Sequence, residues 1–187
     1  MSSHQLIQES IKTTQLNIQK AVNSFSTLSD NQLNWKPSSD SWSVGECLSH
    51  LINSNRLYFI KFQSIFKTNN CTEAIDFPYA QTFAGKMITK GVDPANIKKT
   101  KTFKPFFPDV SKIKKNILDD YTNSSNEFIT LANKMKCLDL KKIKLSSPVN
   151  ILLRMNLGDP LIFIPKHDER HLNQAERVKN HKHFPNQ

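Results

Sequence analysis

The sequence is poor in glycine and has no long apolar run. Only four of its 187 residues are glycine, the residue that tight turns between strands most often need. Few glycines beside long mixed polar and apolar stretches favour helices over an architecture of strands and turns. No apolar run approaches the roughly 20 residues of a membrane span. The N-terminal residues also lack the basic and then apolar segments of a secretory signal. We therefore expect neither a membrane segment nor a secretory signal.

Cysteine is scarce as well. The three cysteines are Cys47, Cys71 and Cys137, an odd number with no C-x-x-C pair. This pattern predicts reduced thiols and a cytoplasmic protein. We interpret Cys47 as a small buried apolar residue rather than a thiolate ligand.

Several common enzyme signatures are missing. The chain contains no G-x-G-x-x-G, no phosphate-binding G-x-x-x-x-G-K-[ST], no G-x-S-x-G and no set of kinase motifs. The formal net charge is +10, which can indicate an anionic partner. The lysines are scattered, however, and we interpret the densest basic segment, residues 97–115, as a solvated face. Nucleic acid is therefore an alternative partner rather than the expected one.

Apolar residues recur at steps of three and four in four long segments, the spacing of amphipathic helices. The length suits one domain spanning residues 1–187. We predict an all-α fold, a four-helix bundle, with a long irregular connection between its second and third helices. The predicted helices cover about residues 3–28, 43–67, 109–135 and 159–180.

The connecting segments are less regular. Residues 68–108 contain four prolines, which interrupt regular elements. We expect a short helix at 79–89 and otherwise a covering excursion. Residues 141–158 are compatible with either an extended segment or a short helix.

Two helix starts carry local signals. Ser43 and Glu46 form a capping-box pattern, in which each side chain satisfies the other residue's free backbone N–H. We interpret Glu46 as this cap rather than as a metal ligand. In the last helix, Asp159 is predicted to be the N-cap and Pro160 the first helical residue. Pro165 is expected to kink the first turns.

Two histidines continue the apolar stripe of the last helix. His167 and His171 are four residues apart, so their imidazoles lie on one face and can bind one metal ion. A metal would also explain why polar groups point inward. Asp168 and Arg170 are expected to flank this face and to reach solvent or neighbours of the ligands. Glu169 is turned away and cannot act as a base there.

His50 is the third candidate, because it precedes a core position of the second predicted helix. Three protein nitrogens with an open position are typical of catalytic rather than structural metal sites. The remaining histidines lie in polar ends and are predicted to be solvated; they are His4, His181 and His183. A weaker hypothesis places Tyr58 at the border of the same pocket.

Together, two segments resemble the DinB/YfiT-like metalloenzyme family (the DinB-like domain). A W-x-P…W-S segment leads into a helix with one histidine, and a final helix carries H-x-x-x-H followed by glutamine. Pro165 is a departure from this pattern. The matching residues are Trp35, Pro37, Trp42, Ser43, His50, His167, His171 and Gln174.

The resemblance implies a bundle in up-down-down-up order and a divalent metal ion, typically nickel or zinc. The ion would bind His50, His167 and His171, with waters completing its shell. Some relatives are transferases or isomerases that use low-molecular-weight thiols such as bacillithiol or mycothiol. We interpret Trp35 and Trp42 as packing their loop on the end of the bundle rather than stacking on a ligand.

Three functional hypotheses remain open. The first is a metal-dependent enzyme acting on a small molecule, with thiol S-transfer preferred to metal-assisted hydrolysis. The second is a non-catalytic, metal-stabilised binding or stress-response protein. The third is nucleic-acid binding through the basic segment. A homodimer is compatible with all three.

Overall fold

Helices form most of the chain. The computed structural model describes residues 1–69, 71–96, 101–109, 113–114 and 116–186, and it is 60% helical. Among the described residues the α-helices and strands are α1 (Ser3–Phe25), α2 (Asp30–Asn34), α3 (Val44–Thr68), α4 (Phe83–Gly91), α5 (Ile117–Lys134), β1 (Lys144–Ser146), β2 (Arg154–Asn156) and α6 (Asp159–Lys179).

A small sheet corrects the all-α prediction. Strands β1 and β2 pair antiparallel, with Leu145 opposite Met155, and both of these side chains are buried. The extended alternative for residues 141–158 is therefore the right one. The fold is mostly helical with one two-stranded sheet.

The four long helices contact one another in pairs. Helix α1 packs against α5 and α6, and α3 packs against the same two helices. The buried apolar residues fall into two clusters, one near each end of these helices. No helix among the described residues is long and apolar enough to cross a membrane.

The buried face of α1 differs from the predicted one. The helix ends at Phe25 rather than near residue 28, and Val22, which the apolar spacing of this helix places on its stripe, is 40% exposed. Asn17 takes an inward position instead, and its amide donates to the carbonyl of Pro165 at 2.8 Å. A buried polar group is tolerated there because it is hydrogen-bonded, a condition that apolar periodicity cannot detect.

Helix α3 begins where its sequence signal predicted. Ser43 is the N-cap, the Glu46 N–H donates to Oγ of Ser43 at 3.0 Å, and the Ser43 N–H donates to the Glu46 carboxylate at 2.8 Å. Lys36 completes the arrangement with an ion pair to Glu46 at 3.0 Å. The interpretation of Glu46 as a cap is confirmed.

Helix α5 begins later than predicted, at Ile117 rather than near residue 109. Ile113 is nevertheless buried, so the periodic apolar pattern extends beyond the helix. Val110, an apolar residue at the predicted start of this helix, lies outside the described residues.

A buried carboxylate ties the excursion between α3 and α5 to the last helix. The N-cap of α6 is Gly158, so the assignment of Asp159 as N-cap is wrong by one position. The Asp159 carboxylate instead accepts from the hydroxyls of Tyr79 and Thr82, both at 2.6 Å. It also accepts from the backbone N–H groups of Thr82 at 3.2 Å and Asn156 at 2.9 Å. Helix α4 is held beside the start of α6 by these bonds.

The cysteines are not all reduced in the structure. Cys71 and Cys137 form a disulfide with a Cα–Cα distance of 5.7 Å, which contradicts the prediction of three free thiols. The two residues are 66 positions apart, and neither their spacing nor an odd count reveals proximity in space. Cys47 is free and buried, and burial raises the pKa of its thiol, so its interpretation as a small core residue is confirmed.

Candidate metal centre and its cavity

Three histidines from two helices meet at one point. His50 lies on α3, and His167 and His171 lie one turn apart on α6. One ring nitrogen from each residue lies within 4.8 Å of those of the other two, so the group can hold a metal ion. The closest approach is 3.1 Å, between Nε2 of His50 and Nε2 of His167. All three predicted site residues are thus brought together.

Hydrogen bonds fix which nitrogen of two rings is free. Nδ1 of His50 lies 2.6 Å from the carbonyl oxygen of Phe106. Because a carbonyl can only accept, Nδ1 carries the proton and Nε2 keeps its lone pair. Nδ1 of His171 lies 2.9 Å from Oε1 of Gln174. An amide oxygen also only accepts, so Nδ1 of His171 carries the proton and Nε2 keeps its lone pair. This is how neighbouring groups orient metal-binding histidines.

The spacing of the nitrogens suits one shared ion. Two bare lone pairs 3.1 Å apart repel each other, unless His167 places a proton between them or a cation binds both. Two nitrogens bound to one tetrahedral zinc, each at ~2.0–2.1 Å, lie roughly 3.3 Å apart. The donor set therefore fits a divalent ion that prefers nitrogen ligands.

Burial keeps these imidazoles neutral. It lowers the pKa of His50 to about 4, against a smaller opposing effect of the hydrogen bond to Phe106. Burial and the neighbouring histidine and arginine charges lower the pKa of His171 to about 3, and the pKa of His167 also falls well below its usual range. The neutral form is the one that binds a metal.

The histidines form part of the wall of a cavity of about 830 Å³. Residues 101–109 cover it, in agreement with the predicted covering excursion, and they are held on α3 by side chains. Asn53 donates to the carbonyl of Phe107 at 2.9 Å, and Ser49 accepts from the N–H of Asp109 at 2.8 Å. The cavity is large enough for a small organic molecule.

The two tryptophans lie in different surroundings. The ring centroid of Trp42 is 4.7 Å from that of His50 and 5.6 Å from that of His171, and Trp42 also lines the cavity. Trp35 packs instead against His181 and Phe184, at 5.4 and 5.5 Å. The packing interpretation holds for Trp35, whereas Trp42 also forms a wall of the candidate site.

One peripheral prediction is wrong and another is incomplete. Tyr58 does not border the cavity; it is buried and packs against Phe163 with ring centroids 5.3 Å apart. His181, predicted to be solvated at a polar end, lines the cavity. Sequence reasoning missed His181 because it lies just beyond the end of α6 at Lys179, where helical spacing no longer predicts the direction of a side chain.

Asp168 was also placed wrongly. It was expected to flank the ligands and reach solvent or their neighbours, but it is only 2% exposed. Its carboxylate accepts from the amide of Asn55 at 3.2 and 3.3 Å and from the hydroxyl of Tyr121 at 3.3 Å. Burial raises its pKa to about 7, although the two hydrogen bonds oppose the shift. Asp168 therefore belongs to the most deeply buried face of α6, and the candidate ligands His167 and His171 lie at the side of that face.

Replacing Asp168 with asparagine is expected to stabilise the metal-free protein increasingly as the pH rises. The pKa of about 7 in the folded protein exceeds the ordinary value of 3.8. Below pH 3.8 the carboxyl is protonated in both the folded and the unfolded protein and does not lower the free energy of unfolding. Between pH 3.8 and 7 only the unfolded protein ionises at this residue, so the loss of folding stability caused by the carboxyl grows with pH and reaches its full size above pH 7. A shift of this size corresponds to about 4 kcal/mol.

Urea unfolding of wild type and Asp168→Asn at pH 4, 6 and 8 measures this effect as the difference between their unfolding free energies. Asp119→Asn, at an exposed position on α5, is the matched control for the lost charge. A difference between wild type and Asp168→Asn that stays constant across the pH range would contradict the assignment.

The fold and the site define a mostly helical protein in which three imidazoles converge beside a cavity and could hold a metal ion. The family model of the DinB superfamily matches residues 13–175, most of the chain. The protein therefore belongs to the DinB superfamily, as the resemblance had indicated. No curated protein and no solved structure matches the chain.

Proposed function

We propose that the protein is a metal-dependent enzyme acting on a small molecule, with His50, His167 and His171 as the ligands of one divalent ion, nickel or zinc. The supporting observation is that three neutral imidazoles converge at the wall of a cavity. Within the described part of the chain, the candidate group contains these three histidines and no fourth histidine, cysteine or carboxylate. An ion held by three protein ligands keeps a position for substrate or water, as catalytic sites do.

The proposed reaction is thiol S-transfer, with metal-assisted hydrolysis as the second choice. A divalent ion at these histidines lowers the pKa of a bound thiol or water and so supplies a nucleophile at neutral pH. The protein holds the rings in place through Phe106 and Gln174. Trp42 and Phe107 line the cavity and place apolar surface beside the candidate ligands.

Several finer assignments belong to the same proposal. The substrate is a small molecule, with a low-molecular-weight thiol as one partner, and a homodimer is compatible with the fold. We also propose that residues 1–187 form one DinB-like domain, with α1, α3, α5 and α6 as a bundle in up-down-down-up order. A cytoplasmic location stays a prediction, and the disulfide between Cys71 and Cys137 does not support it.

The alternative of a non-catalytic, metal-stabilised binding or stress-response protein has one observation in its favour. The candidate ligands come from α3 and α6, so an ion bound to them would cross-link two core helices. It predicts that chelation lowers stability and that the bound ion holds no exchangeable water or thiol.

Cobalt substitution separates the two functions. In the proposed enzyme, adding a small thiol such as cysteine to the Co²⁺-loaded protein is expected to produce a sulfur-to-cobalt charge-transfer band. Conjugation of that thiol to an electrophilic dye should disappear after chelation and return with zinc. Stoichiometric metal without the band, and dye conjugation that chelation does not change, would favour the non-catalytic alternative.

A further inference from the structure

Helix α6 places a basic face on the cavity next to the candidate ligands. Arg170 and Arg177 both line the cavity, and a spacing of seven residues puts them on one side of the helix. The chain has 22 lysines but only four arginines, so its general lysine bias does not account for two arginines here. Lys101 also lines the cavity, whereas Asp40 is the single acidic residue among the described lining residues.

Arg170 is held in position by the end of α4. Its guanidinium donates to the carbonyl oxygens of Gly91 at 3.3 Å and Asp93 at 3.4 Å. Arg177 follows two turns later on the same side of α6, and both guanidinium groups line the cavity, so both would attract an anion bound there.

The cavity has a histidine part, lined by His50, His167 and His171, and an arginine part, lined by Arg170 and Arg177. Arg170 precedes His171 by one residue, and Arg177 lies about two turns beyond it along α6, on the cavity side. A molecule with its reactive end at the histidines would therefore extend along the helix toward Arg177. The planar donor fork of arginine suits carboxylate and phosphate oxygens better than a lysine ammonium does.

We propose that the cavity binds a molecule carrying an oxyanion, a carboxylate or a phosphate group, and that Arg170 and Arg177 are the residues that hold it. The assignment of the other end of the molecule to the three histidines rests on the proposed function above. The oxyanion site itself rests only on the arginines and the cavity.

Binding of succinate and of inorganic phosphate to zinc-loaded protein tests the proposal by calorimetry. Arg177→Gln is the main variant, because Arg177 is exposed and its replacement leaves the contacts of Arg170 with α4 intact. Arg154→Gln is the matched control, since it removes the same charge from an exposed position on β2 outside the cavity. Arg177→Lys keeps the charge but removes the planar pair of N–H donors that can bind two oxygens of one anion.

At least one probe is expected to bind wild type with a Kd of about 10 mM or tighter. Arg177→Gln should weaken it roughly tenfold, and Arg177→Lys by less. Arg154→Gln should bind as wild type does. The probe that shows the larger dependence on Arg177 distinguishes a carboxylate ligand from a phosphate ligand. Absence of binding by both probes, or a change in Arg177→Gln no larger than in Arg154→Gln, overturns the proposal.

The same titrations on metal-free protein separate this proposal from the metal site. Binding that depends on Arg177 without metal supports the oxyanion site, whatever the histidines bind. Binding that needs zinc and is equally strong in Arg177→Gln shows that the anion binds the ion alone, which overturns the oxyanion site and leaves the metal site standing.

Discussion

Replacing His171 with alanine is expected to abolish stoichiometric binding of zinc or nickel to the purified protein. The variant keeps His50 and His167, but two imidazoles leave the ion with half of a tetrahedral shell from the protein. We expect the affinity to fall at least about 100-fold, more than the loss of a residue that only orients a ligand. Elemental analysis after dialysis gives the stoichiometry, and competition with a chromophoric chelator gives the affinity.

His181→Ala is the matched control for this experiment. His181 also lines the cavity but lies outside the group of three converging histidines, so its loss should leave the metal content unchanged. Quenching of Trp42 fluorescence by nickel offers an independent measurement, because its ring is 4.7 Å from that of His50. Full metal content in His171→Ala would show that these histidines are not the site.

The metal-ligand candidates could be found from the sequence because their signal is local. A spacing of four residues places two side chains on one face of any α-helix, whatever that helix packs against. The start of α3 was predictable for the same reason, since Ser43 and Glu46 satisfy each other's backbone groups within one turn. The meeting of His50 with His167, 117 positions apart, depends on how α3 packs against α6, and the family resemblance supplied what periodicity could not.

The misplacement of Asp168 and of the inward position Asn17 has one physical cause, which is that buried polar residues do not register as core positions. Asp168 and Asn17 face inward because partners elsewhere in the chain satisfy them: the amide of Asn55 for Asp168, and the carbonyl of Pro165 for Asn17. An apolar pattern assigns such residues to the surface. The covering of the cavity by residues 101–109 could be anticipated only as an irregular segment, because its side chains and backbone are positioned by contacts with α3.

The disulfide and the basic face of α6 illustrate two further limits. Pairing of Cys71 with Cys137 requires the end of α5 to lie beside the segment after α3, which no spacing rule contains. Arg170 and Arg177 were visible in the sequence as charged residues of a helix. Their significance appears only when the cavity shows that both line it together with the histidines.

Replacing Asp159 with alanine is expected to destabilise the protein by about 3 to 5 kcal/mol. The wild-type carboxylate is completely buried and accepts four hydrogen bonds, two of them from the hydroxyls of Tyr79 and Thr82 at 2.6 Å. Alanine would leave these hydroxyls and two backbone N–H groups without their acceptor in a site closed to water. Urea unfolding followed by circular dichroism measures the loss as a shift of the midpoint.

Two further variants make this effect interpretable. Tyr79→Phe removes one donor and leaves the carboxylate with three, so it should cost only about 1 kcal/mol and provides a measurement if Asp159→Ala does not fold. Asp119→Ala removes a charge from an exposed position of α5 and should be nearly neutral. Because Asp159 holds α4, its loss should also release the contact of Arg170 with Gly91 and weaken oxyanion binding. An Asp159→Ala protein as stable as Tyr79→Phe would mean that water replaces the carboxylate, and that α4 is held against α6 by its apolar contacts instead.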